Sequence, residues 1–370
     1  MKKSFIFFLL TMMVGFAKAQ TVDIPDANFK AYLLANTVIN KNGDDEIQVS
    51  EAIAHKSSIN CSNKNISDLT GIAAFVNLTQ LLCDKNQLTN LDLSKNTALE
   101  VLLCHDNKLT VLDVSKNTAL YTLDCSNNQL TSLDVSKNIF LKYFDCNTNR
   151  LTSLDVKNAT LQIITCNKNL LTSLNLTSTP KLGALYCSDN LLTQLDVTTN
   201  SKLEILSIDN NKLTDLNLSK TGNLFYALYC TNNQLKSLNL KNGYNSKIDR
   251  MYSYNNPNLA CIQVDNPAAS NNYDYWQKDA TASYNTNCGY LSVSGIEKIQ
   301  VKIFPNPAKD ILNFSKEVSN IRITDLSGKI IEQNFNSVKS IDVSKLIKGT
   351  YIISATAKTG ETINMKFIKE

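Results

Sequence analysis

The chain has 370 residues, 43% hydrophobic and 19% charged, enough apolar material for more than one core and too much for global disorder. Two histidines, one tryptophan and ten cysteines without a CxxC pair argue against a zinc ribbon or a thioredoxin-type site. The formal charge of +4 sits at the ends: residues 1–19 carry +3, residues 295–370 carry 12 Lys/Arg against 8 Asp/Glu, and residues 20–294 carry 22 against 25. A slightly acidic middle argues against nucleic-acid binding.

Lys2 and Lys3 precede an apolar run from Phe5 to Phe16, and Ala17-Lys18-Ala19 forms an A-x-A cleavage site. Residues 1–19 therefore read as a secretory signal peptide, with a mature chain starting at Gln20. The run falls short of the ~20 residues that span a bilayer. The expectation is export to the periplasm without a transmembrane segment, into surroundings that permit disulfides.

Residues 20–58 read as an N-terminal cap. PDANFKAYLLANT (residues 25–37) has the apolar spacing of an amphipathic helix with Phe29, Leu33 and Leu34 inward. The loop from Asn40 to Glu51 follows the EF-hand frame, with Asn40, Asn42, Asp44, Glu46 and Glu51 as candidate metal ligands. Asp45 stands where the frame wants the turn glycine, and the first position is Asn instead of Asp. This predicts weak calcium binding, in the ~0.1–1 mM range of extracellular modules, or a polar turn of the same ancestry. No cofactor is required.

The middle of the chain is periodic. Cysteines fall at 61, 83, 104, 125, 146, 166 and 187, at intervals of 20 to 22 residues; Ile208 takes the next place, then Cys230, then Ser253. The unit reads LxxLxCxxNxLTxLDVSKNTA, as from Leu99 to Ala119. A single coil of this length cannot bury its apolar face, whereas stacked coils can. In the L-x-C segment Leu102 and Cys104 alternate inward and Leu103 and His105 outward.

Over residues 59–264 this unit resembles the leucine-rich repeat, in a 21-residue bacterial form sometimes called the IRREKO class. The resemblance implies a mainly β solenoid of parallel strands with few helices. The cysteines then read as small buried residues in register, and the column Asn86, Asn107, Asn128, Asn149, Asn169, Asn190, Asn211, Asn233, Asn256 as amides serving the backbone. The second half of each unit repeats the LxxLxL spacing, so both long walls are expected to be extended. Its outward position runs Asp92, Asp113, Asp134 and Asp155, and cations along that row are a minor alternative.

Residues 265–290 read as a C-terminal cap. Cys261 and Cys288 lie off the ladder in an exported protein, which predicts a disulfide between them, worth roughly 3.5 kcal/mol on the chain-entropy model. From residue 296 alternation and turn residues indicate a small antiparallel β-sandwich of about seven strands. Its FPNPA, DLSGK, LIKGTY and KFIKE elements resemble the type A C-terminal sorting domain of the type IX secretion system, found in Bacteroidota. That resemblance implies contact with the secretion machinery through residues 296–370 and a product released or attached at the outer-membrane surface.

The functional expectation is a secreted or cell-surface binding protein for an extracellular protein or polysaccharide. A structural surface-layer component is the alternative, and a carbohydrate-active or proteolytic enzyme a weaker one. No Ser/His/Asp or paired-carboxylate arrangement interrupts the repeats, and His105 beside Asp106 reads as an exposed side chain. The candidate binding residues are Tyr186, Tyr226, Tyr229, Tyr252 and Tyr254, which the repeat places on the outward face of the later rungs. The competing reading is that they pack over the solenoid end against Trp276.

Overall fold

The computed structural model describes residues 20–222, 224, 226–289, 301–357 and 362–370. The expected signal peptide lies outside them. The chain divides into two compact units, residues 1–290 and 291–370.

The first unit is a solenoid. Eleven three- or two-residue strands, from Ser58–Asn60 to Trp276–Gln277, stack in parallel in one sheet. Each repeat supplies one rung, in strict register: Leu81, Leu102 and Leu123 are partners in successive rungs. Their side chains turn into one continuous core running from Val22 to Ala282. The eight ladder cysteines and Ile208 are fully buried in that core, which is what a packing column requires. Burial pushes the Cys61 thiol up to about 12 and also raises those of Cys83, Cys104, Cys125, Cys146 and Cys230.

The asparagine column closes each turn. The Asn107 side-chain nitrogen donates to the carbonyls of Cys83 and Cys104 (3.0 Å each), and its Oδ1 accepts from Leu88 N at 3.0 Å. The residue before each column asparagine lies at positive φ, as at Lys85 (54°), Asp106 (53°) and Thr148 (52°), so every coil leaves its strand through a left-handed step. A second buried column escaped the sequence reading. Asn96, Asn117, Asn138, Asn158 and Asn200 donate to backbone carbonyls of the preceding coil, Asn117 to Asn96 O at 2.8 Å.

The second wall departs from expectation. Among the described residues its paired strands are Asp215–Asn217, Ser237–Asn239, Cys261–Gln263 and Ser283–Asn285, with isolated bridges joining Asp134, Asp155 and Asn175. These strands start 22 to 24 residues apart, and the bridges join positions 20 or 21 apart. The row of aspartates serves the turns. Asp92, Asp113 and Asp134 accept from the backbone N–H of Ser94, Ser115 and Ser136 at 2.8–2.9 Å, and these bonds first of all hold the carboxyls below their ordinary value.

Both ends are closed. Helix α1 (Ala27–Leu34) buries Phe29 and Leu33 completely, while Leu34 is only half-buried. Its N-cap Asp26 accepts from Asn28 N and Phe29 N with one oxygen and from Ser67 N and Oγ with the other, tying the cap to the first coil. Gly71 has φ of 101°, and a Cβ there would meet Asp23 O and Ile24 Cγ1 at 2.8 Å, so only glycine admits the N-terminal segment. A short helix α2 (Val49–Ala54) follows the polar loop. At the far end the expected cap continues both ladders as a last coil: Trp276–Gln277 pairs with Met251–Tyr252, and Ser283–Asn285 with Cys261–Gln263. Cys261 and Cys288 are joined by a disulfide there.

The second unit has six strands among the described residues, not about seven, and all pair antiparallel. One strand, Ile311–Thr324, pairs with four others because its register breaks let it serve different neighbours along its length. The motifs have structural work. Asn306 clamps the last strand by donating to Lys366 O and accepting from Ile368 N (2.9 Å), and Asp325 accepts from Ser327 N and Lys329 N around the turn at Gly328.

Candidate functional site

The outward face of the eleven-stranded sheet carries two different surfaces. In the later rungs the parallel register puts Tyr229 beside Tyr252, whose rings meet edge-to-face at 5.4 Å. Tyr254, two residues on, lies 6.3 Å from Tyr252. These rings are partly solvent-facing, and Tyr226, one position before its strand, is 59% exposed. Tyr186 stands on the same face, separated from Tyr229 by the Ser207 rung. The structure thus brings Tyr229, Tyr252 and Tyr254 into one ring cluster, sets Tyr226 on its flank, and leaves Tyr186 apart.

Trp276 does not pack on Tyr229 or Tyr252. Strand alternation turns it inward in register with Met251, where its ring meets Tyr273 (4.8 Å) and Tyr284 (5.9 Å). Two residues of the face were missed by reading columns one at a time. Arg250 lies 5.9 Å from the Tyr275 ring, and contact with the Tyr229 hydroxyl, then Asp249, keeps its guanidinium charged, its pKa raised. Tyr275 is itself 55% exposed. A parallel ladder places Arg250 beside Ala227 and two residues before Tyr252, which the spacing of the repeats could have revealed.

The earlier rungs are acidic. His105 is half-buried, not exposed as expected: Nδ1 is 2.9 Å from Asp106, and Nε2 is 3.6 Å from Asp84 and 4.0 Å from Asp124. Asp145 is the register partner of Asp124, and burial first, then the Asp124 charge, pushes its carboxyl up to about 6. Ser62 and Ser126 donate to Asp84 and Asp124 instead of to the imidazole, so the triad geometry is not assembled.

In the N-terminal loop, Asn40, Asn42, Asp44 and Glu51 come together and Glu46 does not; its carboxylate turns out to Lys30 at 2.9 Å. The gathered oxygens face N–H groups. Glu51 accepts from Lys41 N, Asn42 N and Gln48 N, Asp44 from Glu46 N and the Gln48 amide, and Asn40 from Gly43 N. The oxygens of this set thus accept hydrogen bonds from the loop's own N–H groups. Among the described residues no group of three or more His, Cys, Asp or Glu is placed to hold a metal.

A stack of parallel rungs with a leucine core and a buried asparagine at each strand exit defines a leucine-rich-repeat solenoid. The chain thus has a leucine-rich-repeat fold, and its residues 302–370 match the secretion system C-terminal sorting domain family. The solved functional domain of InlJ from Listeria monocytogenes, which includes a cysteine ladder, shares the fold at a TM-score of 0.50 and 22% identity, covering 95% of this chain and 99% of that one. Among curated proteins, Internalin J of Listeria monocytogenes is 38% identical over 87 residues, 24% of this chain and 9% of that protein. Beta-agarase D of Zobellia galactanivorans is 40% identical over 73 residues, 20% of this chain and 15% of that protein. The chain thus spans less than a sixth of either relative. A sorting domain of this family implies secretion or attachment at the cell surface. Among the described residues no helix is long and apolar enough to cross a membrane.

Proposed function

We propose that the protein is a non-enzymatic binding protein, led to the periplasm by residues 1–19 and carried outward by its sorting domain, which holds an extracellular partner on the outward face of its last rungs. The observation that supports this reading is the ring cluster of Tyr229, Tyr252 and Tyr254, partly open to solvent, with Arg250 and Tyr226 at its edge. Tyrosine joins a flat apolar ring to a polar tip and loses little entropy on binding, which suits both protein and glycan surfaces. A rigid rung fixes where each ring stands, so the face is pre-organised.

The test is the double variant Tyr229→Ala/Tyr252→Ala, assayed on glycan and extracellular-protein arrays. Loss of at least ~2 kcal/mol of affinity is expected, in the range of interface hot spots, with the melting transition retained. Undiminished binding would remove this face from the site. A collapsed melting transition would show that the tyrosines serve the fold.

A further inference from the structure

Beside the tyrosine face, the last coil encloses an open cleft of about 570 Å³. Tyr254, Trp276 and Tyr284 form its apolar walls, and Asn271, Gln277 and Lys278 its polar ones. Three elements build it. Helix α3 (Pro267–Ser270), capped by the Asn266 side chain, delivers Asn271 at its C-terminus. The strand Trp276–Gln277 turns Trp276 into the core and Gln277 outward beside Tyr252. The strand Ser283–Asn285, which carries Tyr284, pairs with Cys261–Gln263, and the Cys261–Cys288 disulfide binds the two segments.

The walls are held without help from a ligand. The Trp276 indole N–H donates to Ile248 O at 3.0 Å, and the Lys278 ammonium donates to Ala282 O and lies 5.4 Å from the Tyr284 ring. By contrast, the exposed side-chain amides of Asn271 and Gln277 make no hydrogen bond among the described residues. The cleft therefore offers rings fixed in place and two amides with donors and acceptors to spare. Its one charged lining residue is a cation already engaged with the backbone.

We infer that this cleft is a saccharide subsite that seats one end of a polysaccharide lying along Tyr252 and Tyr229. The inference rests on the binding face proposed above and names its partner. A pyranose presents an apolar C–H face and a rim of hydroxyls. Aromatic walls take the first, and free amides, each both donor and acceptor, take the second. The volume lies within the ~300–1,000 Å³ typical of small-ligand sites. Gln277 is the register partner of Tyr252, so the cleft and the ring cluster are continuous along one direction of the sheet.

Trp276 is the chain's only tryptophan, so its emission reports on this cleft alone. The full chain is titrated with hexasaccharides of β-glucan, xylan, mannan, galactan, alginate and polygalacturonate, read by that emission and by calorimetry. At least one saturable response is expected, weakened tenfold or more by Asn271→Ala/Gln277→Ala at an unchanged melting temperature. Both side chains are exposed, so the pair does not touch the core. Tyr229→Ala/Tyr252→Ala is expected to weaken the responding hexasaccharide and to spare the disaccharide of the same glycan, titrated in parallel. No response to any of the six, or a response indifferent to the Asn271/Gln277 pair, overturns the subsite. A polypeptide partner lost with the tyrosine pair and kept with the amide pair overturns it too, while leaving the binding face standing.

Discussion

The early and late rungs of one sheet share a backbone and differ in what they show to solvent. From Leu81 to Met251 the inward positions repeat leucine or its equivalents in register, and the asparagine behind each strand makes the same bonds. Outward, the early rungs gather Asp84, Asp106, Asp124 and Asp145 around His105, and the late ones gather tyrosines. The contrast separates two demands on a repeat: inward positions answer to the neighbouring coil, while outward ones are free to diverge.

The sharpest check is a matched pair of column variants. Asn128→Ala and Asn233→Ala each strip the bonds to three buried carbonyls and one buried N–H, at Cys104, Cys125, Ser126 and Leu109 in one case and Ile208, Cys230, Thr231 and Leu213 in the other. Each should cost about 3 kcal/mol by denaturant melting. Unequal costs would break the view that the backbone is one repeated device. Next comes the tyrosine pair described above, expected to act on binding and not on melting.

The acidic rungs should also show a pH dependence that the tyrosine rungs lack. The Asp145 carboxyl has its folded pKa raised to about 6, from an ordinary 3.8. Its neutral form suits the fold, so its contribution is full below the unfolded pKa and fades as pH rises through about 6. Asp145→Asn should therefore stabilise the protein above that pH, by about 1–2 kcal/mol after allowance for solvent screening, and have little effect at pH 4. Melting both proteins across that range decides it.

At the N-terminal end the sign reverses. Burial tends to raise the Asp26 carboxyl, but the hydrogen bonds from Phe29, Ser67 and Asp68 outweigh it and hold the pKa below 3.8. That stability is present above the unfolded pKa and is lost as pH falls through the lower folded one. Asp26→Ala should cost about 1 kcal/mol at neutral pH and progressively less in acid. The smallest effect expected is that of calcium. We propose that the loop from Asn40 to Glu51 stands without it, so millimolar calcium should leave the melting temperature within about 1 °C and give no heat in calorimetry; a saturable heat would restore the loop as a cation site.

The solenoid, its cysteine ladder and asparagine column, the Cys261–Cys288 pair and the sorting motifs were all legible in the chain, because each is a local pattern repeated or set apart at fixed spacing. Spacing alone could not say which walls pair. The second wall depends on how each coil divides its chain between walls and turns, which is settled only on closure. Nor could it place His105 among three neighbouring carboxylates, turn Glu46 away from its loop, or carry Trp276 inward past the tyrosines. Those outcomes depend on side chains from different coils meeting. The cleft of the last coil is of the same kind: Asn271, Gln277 and Tyr284 belong to a helix end and two strands, and only stacking the final coil on the ladder makes them neighbours.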